Sequence, residues 1–373
     1  MKFTITTAVL QDMLAKSTKC ASNDNQRPLT GLIAIQLKDN VLTLITSSAT
    51  NYLYVHKDKI VGEDFYVVVP VEIFSKLVSK LTAENTTLEL KDDNLIVTSG
   101  GTYTIGVSID EEGELTRYPD PYYGPAHADE FSDFKVYPIK KSTLNLILSV
   151  NSASIADGEM AKDLPEVYTG YHMSDSIVTT DSIKMCGIDI NICDEPILVR
   201  PETMKLTDVF TEENLEIRIS DDKRGNKNIV ITSQNMDCDI VSKLIENMEE
   251  FQIKDIKGLL DSDFDSSCAV SKVKLAQALD RLSLFINKLD DFALFLTFTK
   301  DGLKLANKKS SSEEVIAYEA SNDFKPYTCT LDINALIDQI KAVPGDLVNI
   351  YYGNEIAIKF EDGNITQMIA LMS

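Results

Sequence analysis

The sequence predicts an α+β protein of three tandem domains, each made of two β-α-β-β-β halves. Three observations predict it. The stretch Tyr66–Val107 reads as strand, helix and three strands. The same order recurs from Ile197 and from Tyr327, and the equivalent positions Pro70, Pro201 and Asp332 lie 131 residues apart in both steps. A front half of matching order precedes each copy. A fixed period is the mark of duplicated structural units, even where residue identity between copies is low.

In the first copy, Tyr66–Val69 is an apolar β-branched run. Pro70 follows, and Ile73, Phe74, Leu77, Val78 and Leu81 have helical spacing. Proline is tolerated at the start of a helix because no bonded N–H is lost there. Strands Thr87–Leu90, Leu95–Thr98 and Tyr103–Val107 follow, broken at Asp92-Asp93-Asn94 and Gly100-Gly101. The second copy has a helix over Glu202–Phe210, then strands Leu215–Ile219, Ile229–Thr232 and Met236–Val241. In the third, Asp332 stands in the proline position and caps a helix Ile333–Ala342. Strands Leu347–Tyr351, Glu355–Phe360 and Ile365–Leu371 complete it.

The front halves begin with Phe3–Ile5, Phe134–Tyr137 and Cys268–Val270. Their helices run from Thr6 or Thr7 through Leu14, from Ser142 through Val150, and from Ser271 through Ile286. The strands are Gly31–Leu37, Val41–Thr46 and Tyr52–Val55, then Val167–Met173, Ile177–Thr180 and Met185–Ile190, then Phe292–Phe298, Leu303–Ala306 and Val315–Tyr318. The stretches Tyr118–Phe131 and Glu249–Asp265 read as acidic connectors, which puts the domains at 1–125, 126–255 and 256–373. A chain of 373 residues is long for a single core, in keeping with this division.

Charge is divided between elements. The whole chain carries −22, a balance that argues against nucleic acid unless positive charge is concentrated somewhere. The six helix windows (7–21, 70–82, 140–153, 201–210, 271–288 and 332–342) hold twelve basic and seven acidic residues, so they carry +5 and the remainder −27. Lys16, Lys19, Lys76, Lys80, Lys141, Lys205, Lys272, Lys274, Arg281 and Lys341 are among those basic residues. Helices that shared one surface would attract phosphate while the rest repelled it. The windows lack the Arg, Asn and Gln density of a base-reading helix, so the contacts would be to the backbone. The plainer reading is that lysines occupy any solvent-facing helix side.

Catalytic and metal signatures are lacking. The six cysteines form no CxxC pair and read as small buried thiols. His56, His127 and His172 have no metal-ligand spacing and read as lone surface histidines. There is no phosphate loop, dinucleotide fingerprint or nucleophile elbow. Thr180-Asp181 ends a strand with no partner base in sight. An enzyme is not expected, and neither is a cofactor or metal. With no apolar run near the ~20 residues of a membrane helix and no signal peptide at Met1–Ile5, the chain reads as soluble and cytoplasmic.

The length, the three doubled domains, the basic helices and the opening Met1-Lys2-Phe3-Thr4-Ile5 together resemble the bacterial DNA polymerase III beta subunit family, the beta sliding clamps. Val178–Met185 is similar to the family's ATDGHRL segment: Thr180 and Asp181 match, Ser182 replaces Gly, Ile183 replaces His and Lys184 replaces Arg. Gln367–Ser373 is similar to its VVMPMRL tail without the Pro and Arg, and Arg27-Pro28-Leu29 to a shortened RPTLPIL stretch. These departures mark a divergent member. The resemblance implies a head-to-tail homodimeric ring, with helices lining the hole and sheets outside. It implies a processivity factor that encircles double-stranded DNA without sequence reading. A clamp loader would place it, and the replicative DNA polymerase and other clamp-binding peptides would dock on it. Arg27 joins the helix lysines as a DNA-facing candidate. The implied peptide cleft is lined by Tyr168, Thr180, Met185, Met368, Ile369, Ala370, Leu371 and Met372. The competing reading is a docking scaffold of the same fold that never encircles DNA.

Overall fold

The structure is a computed structural model. It describes all residues except 23–27, 111, 119–134, 222–226, 236, 309–310, 321–323 and 373. The first repeat runs β1 (Lys2–Thr6), α1 (Thr7–Ser17), β2 (Leu32–Lys38), β3 (Val41–Ser47) and β4 (Asn51–Lys57). It continues with β5 (Phe65–Pro70), α2 (Val71–Val78), β6 (Asn85–Lys91), β7 (Asn94–Thr98) and β8 (Thr102–Gly106). The second runs β9 (Lys135–Lys140), α3 (Lys141–Asn151), a short α4 (Met160–Asp163), β10 (Tyr171–Met173), β11 (Ile177–Thr180) and β12 (Lys184–Ile188). Then come β13 (Ile197–Val199), α5 (Pro201–Leu206), β14 (Asn214–Asp221), β15 (Lys227–Ser233) and β16 (Cys238–Lys243). After α6 (Ile253–Leu260), the third has β17 (Ser266–Ser271), α7 (Lys272–Ser283), β18 (Ala293–Thr299), β19 (Gly302–Asn307), β20 (Glu313–Ile316) and β21 (Glu319–Ala320). It closes with β22 (Tyr327–Asp332), α8 (Ile333–Ala342), β23 (Leu347–Tyr352), β24 (Ala357–Asp362) and β25 (Ile365–Ala370).

The pairing makes the repeat explicit. In each repeat the leading strand of one half joins the sheet of the other. β1 pairs with β6 and β5 with β2; β9 pairs with β14 and β13 with β10; β17 pairs with β23 and β22 with β18. The two halves interlock, so neither can bury its apolar face alone. Three repeats give six four-stranded sheets, and two lateral pairings fuse four of these. β4 pairs with β16 over five residue pairs, Cys238↔Val55 to Ser242↔Asn51. β12 pairs with β25 over five, Lys184↔Ile369 to Ile188↔Ile365. The results are an eight-stranded sheet and, with β21 added at one edge, a nine-stranded sheet. The sheets β1-β6-β7-β8 and β20-β19-β18-β22 stay separate.

The chain divides into two compact units, 1–142 with 202–244, and 143–201 with 245–373. The eight-stranded sheet lies in the first and the nine-stranded sheet in the second, so the second repeat contributes a sheet to each. In the second unit the core joins Leu275, Leu279 and Leu282 of α7 to Leu336 and Ile340 of α8 over Leu296, Phe298 and Ile350. Phe298 stacks on Tyr352 at 3.8 Å. In the first, Val71, Phe74 and Val78 form the buried stripe of α2.

All six expected helices form inside their windows. Asp332 accepts from the backbone N–H of Asn334 and Ala335, as its type at that position predicts. Other expectations need correction. Thr6 makes no capping bond, and Thr7 instead bonds Thr86 side chain to side chain at 2.8 Å. Residues 166–169 form a 3-10 turn rather than the start of a strand, because Pro165 precedes them and the Thr169 hydroxyl bonds back to the Glu166 carbonyl. The acidic connector after Glu249 holds α6, whose Ile256 and Leu260 are buried. α7 ends at Ser283, short of Ile286. His172 is buried, while His127 and most of the first connector lie outside the described residues. Among the described residues no helix is long and apolar enough to cross a membrane.

Candidate nucleic-acid interface and partner cleft

The helix lysines fall into three groups. Lys80, Lys205, Lys274 and Lys341 are exposed and have no ion-pair partner among the described residues. Lys16, Lys19, Lys76 and Arg281 are paired: Lys16 with Asp12 at 3.2 Å, Lys19 with Asp208 at 2.6 Å, Lys76 with Glu72 at 2.5 Å, and Arg281 with both oxygens of Glu314. These partners hold the carboxyls of Glu72, Asp208 and Glu314 below their ordinary range, chiefly through the hydrogen bond each accepts. Arg27 lies outside the described residues.

Lys141 and Lys272 form the third group, with half-buried stems. Each opens the first helix of its repeat and donates to carbonyls closing the second. Lys141 Nζ bonds the Phe210 carbonyl; Lys272 Nζ bonds the carbonyls of Val343 and, at 3.2 Å, Lys341. In the first repeat Gln11 does this work, with Nε2 bonded to the carbonyls of Val78 and Leu81 at 2.9 and 3.1 Å. A helix end leaves carbonyls without intrahelical partners and carries partial negative charge, so a cation there caps and neutralises it. These two lysines therefore serve the fold locally.

The repeat also exposes a surface that no spacing argument identified. At each fused junction the second helix of one repeat meets the end of the first helix of the preceding one. Thr203 of α5 donates to Asn51 Oδ1 at 2.7 Å, and Lys19, just past α1, reaches Asp208. Gln339 of α8 bonds Ser154, just past α3, at 2.5 Å. Aligned on the first helical residues Val71, Pro201 and Ile333, which shifts Pro201 one place from the register of the sequence repeat, the positions equivalent to the buried Thr203 and Thr207, or Ala335 and Gln339, are Ile73 and Leu77 of α2, and Ile73 is 57% exposed. The residues just past α7 are Leu284 and Phe285, 80% and 56% exposed. By the same equivalence β8 corresponds to β16 and β25, and β20 to β4 and β12. Both β8 and β20 are sheet edges, carrying the exposed Tyr103 and Val315. Unpaired edges flanked by exposed apolar side chains are templates for another chain.

The expected partner cleft is assembled only in part. Tyr168, Met185, Ala370, Leu371 and Met372 are half-buried at the β12–β25 seam and its end. Met368 and Ile369 are 2% and 0% exposed; they are core residues. Met368 sits in a cluster with Phe251, Ile256 and Leu260, so the α6 segment fills what the sequence leaves as open groove. Thr180 is also buried, bonding the Lys184 carbonyl at 2.8 Å. Asp181 accepts from the backbone N–H of Ile183 and Lys184 at 2.9 and 2.6 Å and pairs with Lys184 at 3.4 Å. It is spent on a tight turn in which Ser182 takes φ 75°, the left-handed region suited to Gly. Among the described residues no His, Cys, Asp and Glu cluster could hold a metal. All six cysteines are buried and unpaired, and burial pushes their thiols up, Cys20 and Cys193 to about 11.

Residues 1–112 match the family model of the DNA polymerase III beta subunit, N-terminal domain. No curated protein matches the chain. Among solved structures, the DNA polymerase sliding clamp of Pseudomonas aeruginosa is 16% identical with a TM-score of 0.81, covering 100% of this chain and 99% of that one. The Bacillus subtilis sliding clamp is 15% identical with a TM-score of 0.82 at the same coverage. A putative DNA polymerase III beta subunit from Eubacterium rectale is 18% identical with a TM-score of 0.80, covering both chains fully. The fold is that of the bacterial sliding clamps.

Proposed function

We propose that two copies of this chain close head to tail into a ring around duplex DNA, acting as a processivity clamp in the cytoplasm. One observation carries the reading. Two of the three junctions demanded by a threefold repeat are made inside the chain, and the third is left as complementary open halves, β8 with α2 and β20 with the end of α7. A second copy supplies each missing half, and two chains joined twice leave neither β8 nor β20 as an open edge. Match of the first 112 residues to a clamp domain and full-length likeness to clamps support it.

The mechanism is topological. Retention comes from closure, and mobility from few and non-specific phosphate contacts. Lys80, Lys205, Lys274 and Lys341, without ion pairs among the described residues, are cations available for these, while the −27 carried outside the helices repels phosphate. The half-buried side chains Tyr168, Met185, Leu371 and Met372 offer an adaptable apolar seat for a peptide of the replicative polymerase or another partner. Ring opening belongs to a separate loader, since no nucleotide motif is present in the sequence. No catalytic role is part of this reading. The test is retention on nicked circular plasmid after a salt wash, against the same plasmid linearised. Retention on the circle alone is expected; equal loss from both favours a scaffold that never encircles DNA.

A further inference from the structure

A cavity of about 940 Å³ lies in the second unit between the loop before β13 and the segment leading into α6, and none of the partner-cleft residues lines it. That volume is in the range of ligand sites. Its floor includes Met248, Phe251 and Cys193. Phe251 contacts two rings, Tyr168 of the cleft at 5.8 Å and His172 of the cavity at 5.2 Å, the latter stacked within 11°. His172 is 2% exposed and its Nδ1 has no hydrogen-bond partner among the described residues. A buried polar atom left unpaired is costly, and a site that receives a donor relieves that cost.

The charges are lopsided. Asp175 and Lys257 are committed to each other at 2.7 Å, with Ser174 and Ser176 also donating to Asp175. The remaining charged lining is Asp194, Glu249 and Asp255 against Lys254, all exposed and without ion pairs among the described residues. Three carboxylates over an apolar floor suit a side chain with a long aliphatic stem and a cationic, multiply donating head. We infer that this cavity seats an arginine of an extended partner peptide, its stem on Met248 and Phe251, its guanidinium among Asp194, Glu249 and Asp255 and donating to His172. Because Phe251 touches Tyr168 as well, a single peptide can engage the cavity and the cleft together. The inference does not rest on ring closure, and its test uses the full chain in whatever oligomeric state it adopts.

The probe is a fluorescein-labelled Leu-Arg-Leu-Arg amide, titrated with full-length chain and followed by anisotropy at fixed salt. Because the whole protein is acidic, a control of equal charge change is needed; Asp92→Lys/Asp93→Lys in the β6–β7 turn provides it. Asp194→Lys/Glu249→Lys is expected to weaken binding about tenfold or more, and the control pair to stay within about twofold. His172→Leu, which leaves net charge nearly unchanged, is expected to weaken it severalfold. Equal weakening by both charge-reversed pairs, no effect of His172→Leu, or equally tight binding of a Leu-Glu-Leu-Glu amide overturns the inference.

Discussion

Separating lysines that hold the fold from lysines free to meet phosphate yields a prediction of opposite effects within one residue type. Lys141 and Lys272 have their ammonium groups on helix-terminal carbonyls. Replacing either by Met keeps the stem and removes a charge-assisted hydrogen bond, at a cost of about 1–3 kcal/mol each. Chemical denaturation should show that loss in both variants. Lys80, Lys205, Lys274 and Lys341 are exposed and without ion pairs among the described residues, so replacing them with Ala should leave stability within about 0.5 kcal/mol. DNA binding should respond the other way round. Each phosphate contact contributes about 0.9 to the slope of log K against log salt. Four contacts per chain, eight in the proposed two-chain ring, then set an upper limit of about 7.2 on the slope lost by the fourfold variant. The assay is anisotropy of a labelled duplex over a potassium chloride series. A fourfold variant with unchanged slope, or Lys141→Met/Lys272→Met losing slope as strongly, refutes the division. Lys19, Lys76 and Arg281 should fall between, because each must first leave a carboxylate.

Three further outcomes follow from local geometry. Ser182→Gly should leave stability unchanged or raise it, whereas Ser182→Val should cost about 1–2 kcal/mol, because φ is 75° there; urea midpoints decide. His172 is lowered from 6.5 to about 4, first by burial and then by Lys257, so the unfolded chain takes up the proton before the folded one. Its contribution is therefore complete above pH 6.5 and is lost as pH falls from there to about 4, on the order of 3 kcal/mol in total, and His172→Leu should flatten that part of the stability profile. Asp332→Ala should cost about 1 kcal/mol through loss of the α8 cap, again by urea midpoint.

The architecture was legible because duplication repeats its punctuation. Prolines or a capping Asp at one period, helical spacing after them and Gly or Asn turns between strands place all six helices. What periodicity cannot convey is which sheet a strand joins. The exchange of β1 and β5 between halves is a long-range choice, and so are the β4–β16 and β12–β25 seams. The site divides along similar lines. A lysine's charge is visible in sequence, but its partner is not: Lys274 and Lys272 are two residues apart, one free and one capping a helix distant in the chain. Met368 reads as cleft lining until the α6 segment is seen to cover it. α6 itself is hard to see because its eight residues lie between Glu249-Glu250 and Asp261, Asp263 and Asp265, which read as a solvated connector, although Ile253, Ile256 and Leu260 keep helical spacing. Leu284 and Phe285 carried a signal of their own, two apolar residues in succession where the helix stripe needs one.

Sedimentation equilibrium of the intact chain beside Ile73→Lys and Leu284→Lys/Phe285→Lys tests the open-junction proposal most directly. The account predicts twice 41.4 kDa for the unaltered protein, and a monomer of unchanged helix and strand content for both charged variants. A monomer in the unaltered protein, or a dimer that survives both variants, would contradict it.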